Sequence, residues 1–428
     1  MSIEWCRHIP LNLKQMAKIP DPVPLYPTYD ELKDVNFSEY QELKSFLDSG
    51  ESWWSKHWHW GQEFLSYIGR NKSEHTYVRF RNETERFLLW AFLIKEKPID
   101  QLRKSDVLDY ADFCWKPPVS WICLSNYEKY TFSNGQFTQN KHWLPFRLKI
   151  SKADTGNAEP DKRKYKPSQE TLKAMFTAIA SFYKYLMNEE YLYGNPVQIA
   201  RSDCKYFIKD AQVTEVRRLS EDQWQYVFNI ALKLADQDHL YERSLFVIAA
   251  LKVLFLRISE LSERKDWSPV MSHFWEDSDH NWWLKIYGKG RKIRDITVPE
   301  SFIPYLKRYR EHRALSPLPS SGDQHPIVEK IRGQGGMTAR QLSRIVQEIF
   351  DKAYAEMCQA EGEDKARKLK EATAHWLRHT GASMEIERGR ALKDVSEDLG
   401  HASMSTTDTI YVQTESRLRA KSGKDRQI

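Results

Sequence analysis

Near the C-terminus, His375, Arg378 and His379 lie within five residues, His401 follows after Leu399 and Gly400, and Tyr411 follows that. On a helix, residues three and four apart share a face, so His375 would meet both Arg378 and His379. Two His one turn apart are also a zinc pattern. The metalloprotease form needs Glu directly after the first His, and this chain has Trp376 there, with Arg378 as a fixed cation beside any metal. A cluster of Arg and His suits an anion instead, and a phosphate above all, because guanidinium forks match phosphate oxygens. No metal is expected at this site.

These residues resemble a known set. His-x-x-Arg-His, then Leu-Gly-His, then Tyr is similar to box II of the tyrosine recombinases, the phage integrase family. Box I of that family is an Arg followed by Ile-Ser-Glu-Leu, which Arg257 to Leu261 match. A basic β-hairpin with Gly-Lys-Gly lies between the boxes, and Gly288, Lys289, Gly290, Arg291 and Lys292 match it. The three pieces come in the right order and cover about the last half of the chain, from Leu219 onward. The chain has 21 Tyr and 13 His, so a lone Tyr or His would ordinarily be core or surface. The joint pattern carries the reading.

The resemblance implies a site-specific DNA recombinase or integrase. It cleaves and rejoins strands through a covalent 3′-phosphotyrosyl intermediate, without a cofactor. Tyr411 is then the nucleophile. A free phenol has a pKa of about 10 and needs a base to attack, for which His375 is the candidate. Arg257 and Arg378 hold the non-bridging oxygens, and His401 donates to one of them. Lys289 protonates the leaving 5′-oxygen, with Arg291 and Lys292 as nearby rivals and DNA contacts. Glu260, one turn beyond Arg257, orients rather than reacts. His379 has no assigned task. The family also implies double-stranded DNA bearing attachment or recombination sites, a homotetramer on that DNA, accessory DNA-bending proteins and a mobile element. Rival readings are a type IB topoisomerase-like enzyme that relaxes supercoils and a DNA-binding protein that has lost catalysis. There are two departures from the family pattern. Phe255 stands where members often have Gly, which leaves room for a different backbone turn before Arg257. Tyr411 lies ten residues after His401, where nine is commoner.

The elements that must position these groups read as mainly helical. At 428 residues the chain suggests two or three domains. Residues 1–50, with Pro20, Pro22, Pro24 and Pro27, read as an irregular lead-in. Residues 51–200 read as helical, and their plan resembles the family's core-binding domain, which implies that they grip DNA. Ser73 and Ser105 are its candidate N-caps, and a third helix carries Leu172, Met175, Phe176, Ile179, Phe182, Tyr183 and Leu186 at helical spacing. An inserted loop of about 115–167 ends in a basic run that includes Lys162, Arg163 and Lys164. That run reads equally as a solvated charged loop and as a phosphate-contacting one. Residues 201–217 read as a linker.

Residues 218–428 read as an α+β catalytic domain. Capping boxes are expected at Ser220–Gln223 and Thr338–Gln341, and strands over Trp282–Tyr287 and Ile293–Val298. A charged helical piece is expected over Glu361–Glu371. The expected fold is therefore mainly α with a small hairpin or sheet in the catalytic domain.

Composition sets the remaining bounds. A net charge of +6 permits a polyanionic partner without requiring one. Five cysteines with no Cys-x-x-Cys pair argue against a disulfide framework. The longest apolar stretch, Leu245 to Leu256, is too short to span a bilayer, and residues 1–19 have no apolar core of a signal peptide. A cytoplasmic protein, associated with the nucleoid when bound to DNA, and no membrane partner, are the expectation.

Overall fold

The computed structural model describes residues 19–33, 35–149, 160–207, 217–288, 292–401 and 423. The chain divides into two compact units, one built from residues 19–149 and 160–207, the other from 217–288 and 292–401 among those described. The fold is mainly helical with small sheets, as the sequence predicts.

The first unit packs helices Trp53–Asn71, Glu74–Trp90, Lys104–Trp115 and Gln169–Asn188 around an aromatic core that includes Trp58, Trp90, Trp121 and Phe176. Gln169–Asn188 buries the apolar stripe read from its spacing, and the Ser168 side chain accepts from Thr171 N at its start. Ser73 caps Glu74–Trp90 by accepting from Thr76 N. Ser105 does not cap. The helix begins two residues earlier than that cap would set, with Arg103 at the N-cap and its backbone N–H donating to Asp106 at 2.8 Å.

The stretch before residue 51 is less irregular than its prolines suggest. Gln41–Ser49 is a helix, and Leu25 and Tyr26 are wholly buried. The prolines there offer no N–H. Two of the donors that remain, on Leu25 and Tyr26, go to the buried Glu85 carboxylate at 2.6 and 3.2 Å. Lys129 pairs with the same carboxylate. The described residues of the stretch 115–167 likewise hold structure. Tyr130–Ser133 pairs antiparallel with Gln136–Gln139, Ile122–Cys123 pairs parallel with Phe146–Arg147, and Trp121, Ile122 and Phe146 enter the core. Trp121 and Phe146, roughly two dozen residues apart in the sequence, give no period that a sequence window detects.

In the second unit, Glu242–Val253 is the central helix and is buried along nearly its whole length. Glu221–Gln237, Ile303–His312, Ala339–Glu361 and Ala374–Glu387 surround it. Both capping boxes form: Gln223 N donates to Ser220 Oγ at 3.2 Å, and Gln341 N to Thr338 Oγ1 at 3.4 Å. Leu219, just before the first box, is buried. The charged piece forms the helix Glu363–Glu371, with Ala366 and Leu369 turned inward.

The two expected strands take the expected bounds, Trp282–Tyr287 and Ile293–Val298. A third strand, Phe274–Glu276, joins them in a sheet of three. Leu284, Ile286, Ile296 and Val298 face the core.

Candidate active site

Three chain segments converge on the site: the turn Leu254–Leu261, the strand Ile293–Val298, and the helices Ala374–Glu387 and Leu392–Leu399. One glycine sets the approach of the first and third. A Cβ at Gly381 would lie 1.9 Å from the Lys252 carbonyl and 2.9 Å from the Phe255 ring. The helix Ala374–Glu387 therefore crosses the end of Glu242–Val253 backbone to backbone, which brings Arg378 beside the Arg257 turn.

Phe255 occupies the left-handed region at φ +49°. The turn that glycine would favour is thus kept without a glycine. Left-handed backbone costs an ordinary residue about 1–2 kcal/mol. The buried ring offsets that cost by filling a small apolar cluster with Ala382, Ile386, Val395 and Leu399. This conformation aims the Phe255 carbonyl at Arg378, whose Nη1 donates to it at 2.5 Å. Arg378 Nη2 donates to Leu399 O at 2.6 Å. The Arg378 side chain is 1% exposed. Burial and the nearby Arg257 charge push its pKa down to about 9, so it remains a cation at neutral pH.

Arg257 opens the short helix Ile258–Leu261, and its own side chain is 26% exposed. Its Nη1 pairs with Glu260 Oε1 at 2.9 Å, and its backbone N–H donates to Glu260 Oε2 at 2.8 Å. Glu260 is buried. Burial opposes its charge, but the hydrogen bonds and charge of Arg294 outweigh it, and the carboxyl is held below its ordinary range. Arg294 donates to both Glu260 oxygens at 2.8 and 3.1 Å.

Three histidines complete the cluster. His375 and His379 stand edge to face, with ring centroids 4.4 Å apart. His375 is exposed, yet desolvation of its ring, with Arg378 and Arg257, lowers its pKa. His379 is pushed down to about 4, mainly by burial, and its Nδ1 is buried without a hydrogen bond. His401 is pushed down to about 4 by burial, Arg378, Arg257 and Arg294. Its Nε2 lies 3.3 Å from Arg378 Nη2. A guanidinium only donates, so Nε2 accepts and the ring N–H sits on Nδ1.

Arg257, Glu260, His375, Arg378 and His401 are thus brought together. Lys289, Arg291 and Tyr411 lie outside the described residues. Lys292 is exposed, and its carbonyl accepts from Gly288 N at 2.8 Å. Lys162, Arg163 and Lys164 form a short 3₁₀ turn in the other unit, with Arg163 N donating to the Asp161 side chain. Arg294 and Asp398 are part of the site although no motif named them. Asp398 accepts from Arg390 Nη2 at 2.6 Å and from Thr297 N at 3.2 Å. Among the described residues no group of His, Cys, Asp and Glu could hold a metal ion, and no helix is long and apolar enough to cross a membrane.

The phage integrase family model matches residues 217–417. The tyrosine recombinase XerC of Chlorobaculum parvum is 30% identical over 258 residues, covering 56% of this chain and 68% of its own. The XerC of Thermodesulfovibrio yellowstonii is 28% identical over 257 residues, covering 58% and 72%. Among solved structures, the XerH site-specific recombinase bound to palindromic difH substrate aligns with a TM-score of 0.53 and 14% identity over 92% of each chain, a likeness of fold.

The chain belongs to the phage integrase family of tyrosine recombinases. It is an enzyme of DNA recombination, and neither a topoisomerase-like nor a catalytically silent reading is favoured by relatives of these names.

Proposed function

We propose that this chain recombines double-stranded DNA at specific attachment or recombination sites through Tyr411. The observation that carries the reading is the pair Arg257 and Arg378, held around one carboxylate with His375 and His401 beside them. The phenolic oxygen of Tyr411 attacks the scissile phosphorus and its proton passes to His375, which is neutral at working pH. The bond from phosphorus to the 5′-oxygen breaks, and Lys289 supplies the proton that leaves with that oxygen. Charge building on the non-bridging oxygens is met by Arg257, Arg378 and the Nδ1–H of His401. The broken bond's energy stays in the 3′-phosphotyrosyl ester, so a second 5′-hydroxyl reverses the step without a nucleotide.

In this reading residues 51–200 are the core-binding domain, 201–217 the linker and 218–428 the catalytic domain. Lys162, Arg163, Lys164, Arg291 and Lys292 contact phosphates. Four protomers assemble on two duplexes of a mobile element, assisted by DNA-bending proteins, in the cytoplasm at the nucleoid.

Tyr411→Phe tests the scheme, because it removes one oxygen and keeps the ring. On nicked duplexes that lose a short fragment after cleavage, the parent should accumulate a denaturant-resistant adduct mapped to residues 406–417. The variant should bind the same duplex and form none. An adduct at parental level in Tyr411→Phe would place the nucleophile elsewhere.

A further inference from the structure

All three motif pieces meet at a residue that belongs to none of them. Arg294 lies on the strand Ile293–Val298 and its side chain is 14% exposed. Its two terminal nitrogens take the two oxygens of Glu260, from the first motif. A Cβ at Gly288, from the hairpin motif, would lie 2.8 Å from Arg294 Nη1 and 3.3 Å from Glu260 Oε1. A Cβ at Gly400, from the last motif, would lie 2.7 Å from Arg294 Nε. Gly400 is also left-handed, at φ +60°, and ends the helix Leu392–Leu399. Arg294 Nε donates to Asp398 O at 3.1 Å, two residues before that glycine.

We propose that Arg294 is a positioning residue for strand cleavage: it saturates Glu260 and fixes the helix end before His401, so that Arg257 and Arg378 face the phosphate. The inference rests on the recombinase reading above. Its logic is a competition for one carboxylate. Glu260 Oε1 is shared by Arg257 Nη1 at 2.9 Å and Arg294 Nη1 at 2.8 Å. With Arg294 present, Arg257 meets the carboxylate through one side-chain nitrogen and keeps the rest of its fork for phosphate. Without it, Glu260 is free to take Arg257 in the bidentate geometry that guanidinium and carboxylate prefer. Arg257 then turns from the substrate, and the Asp398–Gly400 backbone loses a tether.

The test is the rate of covalent adduct formation on nicked duplexes bearing candidate junctions, with the parent on the same duplex as reference. Arg294→Ala should be slower by about 10- to 100-fold, by analogy with the loss on removing the outer partners that orient metal ligands. Combined with Arg257→Ala it should add little to the loss of Arg257→Ala alone, because the two act as a unit. The salt dependence of duplex binding should keep its slope. A direct phosphate contact would instead lower that slope by about 0.9.

If Arg294→Ala does not fold, Arg294→Lys carries the test: it keeps the charge but lacks the fork, and should be slowed in the same non-additive way. An adduct rate within threefold of the parent, losses that multiply with those of Arg257→Ala, or a reduced salt slope would each overturn the inference alone. A parent that forms no adduct would overturn the recombinase reading, and the inference with it.

Discussion

Phe255 offers a direct test of how the site is built, since its φ of +49° sets it against its own side-chain type. At an ordinary backbone position, glycine is less stable than alanine by about 0.5–1 kcal/mol. At a left-handed position the order reverses, because alanine's Cβ costs about 1–2 kcal/mol there and glycine's absence of one costs nothing. Truncating the buried ring costs about 3–5 kcal/mol in either case. Phe255→Ala should therefore lose the ring and keep the strain, while Phe255→Gly loses the ring and sheds the strain. Both variants should be less stable than the parent, with glycine above alanine by about 1 kcal/mol. At a typical urea slope of about 1–3 kcal/mol per molar, that separates the midpoints by roughly 0.3–1 M. The assay is urea unfolding of the full chain, with amide exchange around Arg378 and Leu399 to localise the effect. The glycine variant should also retain more adduct formation, because the Phe255 carbonyl anchors Arg378. An alanine variant as stable as the glycine one, or more so, would refute the left-handed turn.

Acid should destabilise the second unit through its histidines. His379 and His401 are held near 4 in the folded chain against an ordinary 6.5. Their contribution is fully present above about 6.5 and is lost as pH falls through about 4. Urea midpoints should fall over that window in the parent and fall less in a His379→Gln, His401→Gln double variant; an equal fall in both would assign the effect to carboxylates. Lys289→Ala should slow cleavage of a normal strand far more than cleavage of one with a 5′-bridging sulfur, which leaves without a proton. Equal losses on the two substrates would move the acid role to Lys292 or make Lys289 a phosphate contact.

Much of the site was legible because its groups act through side-chain type. His375, Arg378 and His401 stand out as a cluster by type and spacing, Arg257 joins them through the family resemblance, and their convergence follows from two helices that a glycine lets touch. The Ser220 and Thr338 caps were legible for a similar reason: a capping box is a local pattern that closes within four residues. What was not legible is carried by backbone and by long-range pairing. The carbonyls of Phe255 and Leu399 fix Arg378, and nothing in a residue's type announces that use of its backbone. Arg294 did leave a trace. On the strand Ile293–Val298 it shares a face with Ile296 and Val298, which face the core. A cation on the inward face of a strand must find a buried partner, and a period-two reading of that strand would have raised the question. Leu25 and Tyr26 left none, because their partner Glu85 lies about sixty residues on, inside a helix that reads as an ordinary amphipathic one.

In the proposed reaction a phosphate comes to this cluster; a carboxylate at its centre repels such a substrate, and its presence needs a reason. Arg378 is almost wholly buried, and the Arg257 charge works against it. Three guanidiniums gathered there without a counter-charge would be strongly unfavourable, since each loses water and repels the others. Glu260 cancels part of that repulsion and orders the group: Arg257 and Arg294 share its oxygens, and Arg378 Nη1 stands 3.8 Å away. The inner N–H groups of Arg378 go to carbonyls, which carry no charge to subtract. Three cations against one anion still leave a surplus for a phosphodiester, whose charge grows on its non-bridging oxygens as the bond to the tyrosyl oxygen forms. Because every partner of Arg378 belongs to the folded chain, that surplus is in place before DNA arrives. A field fixed in advance lowers the barrier without reorganising during the reaction. Glu260 is therefore what allows buried positive charge to be kept where, in the proposed reaction, the phosphate comes.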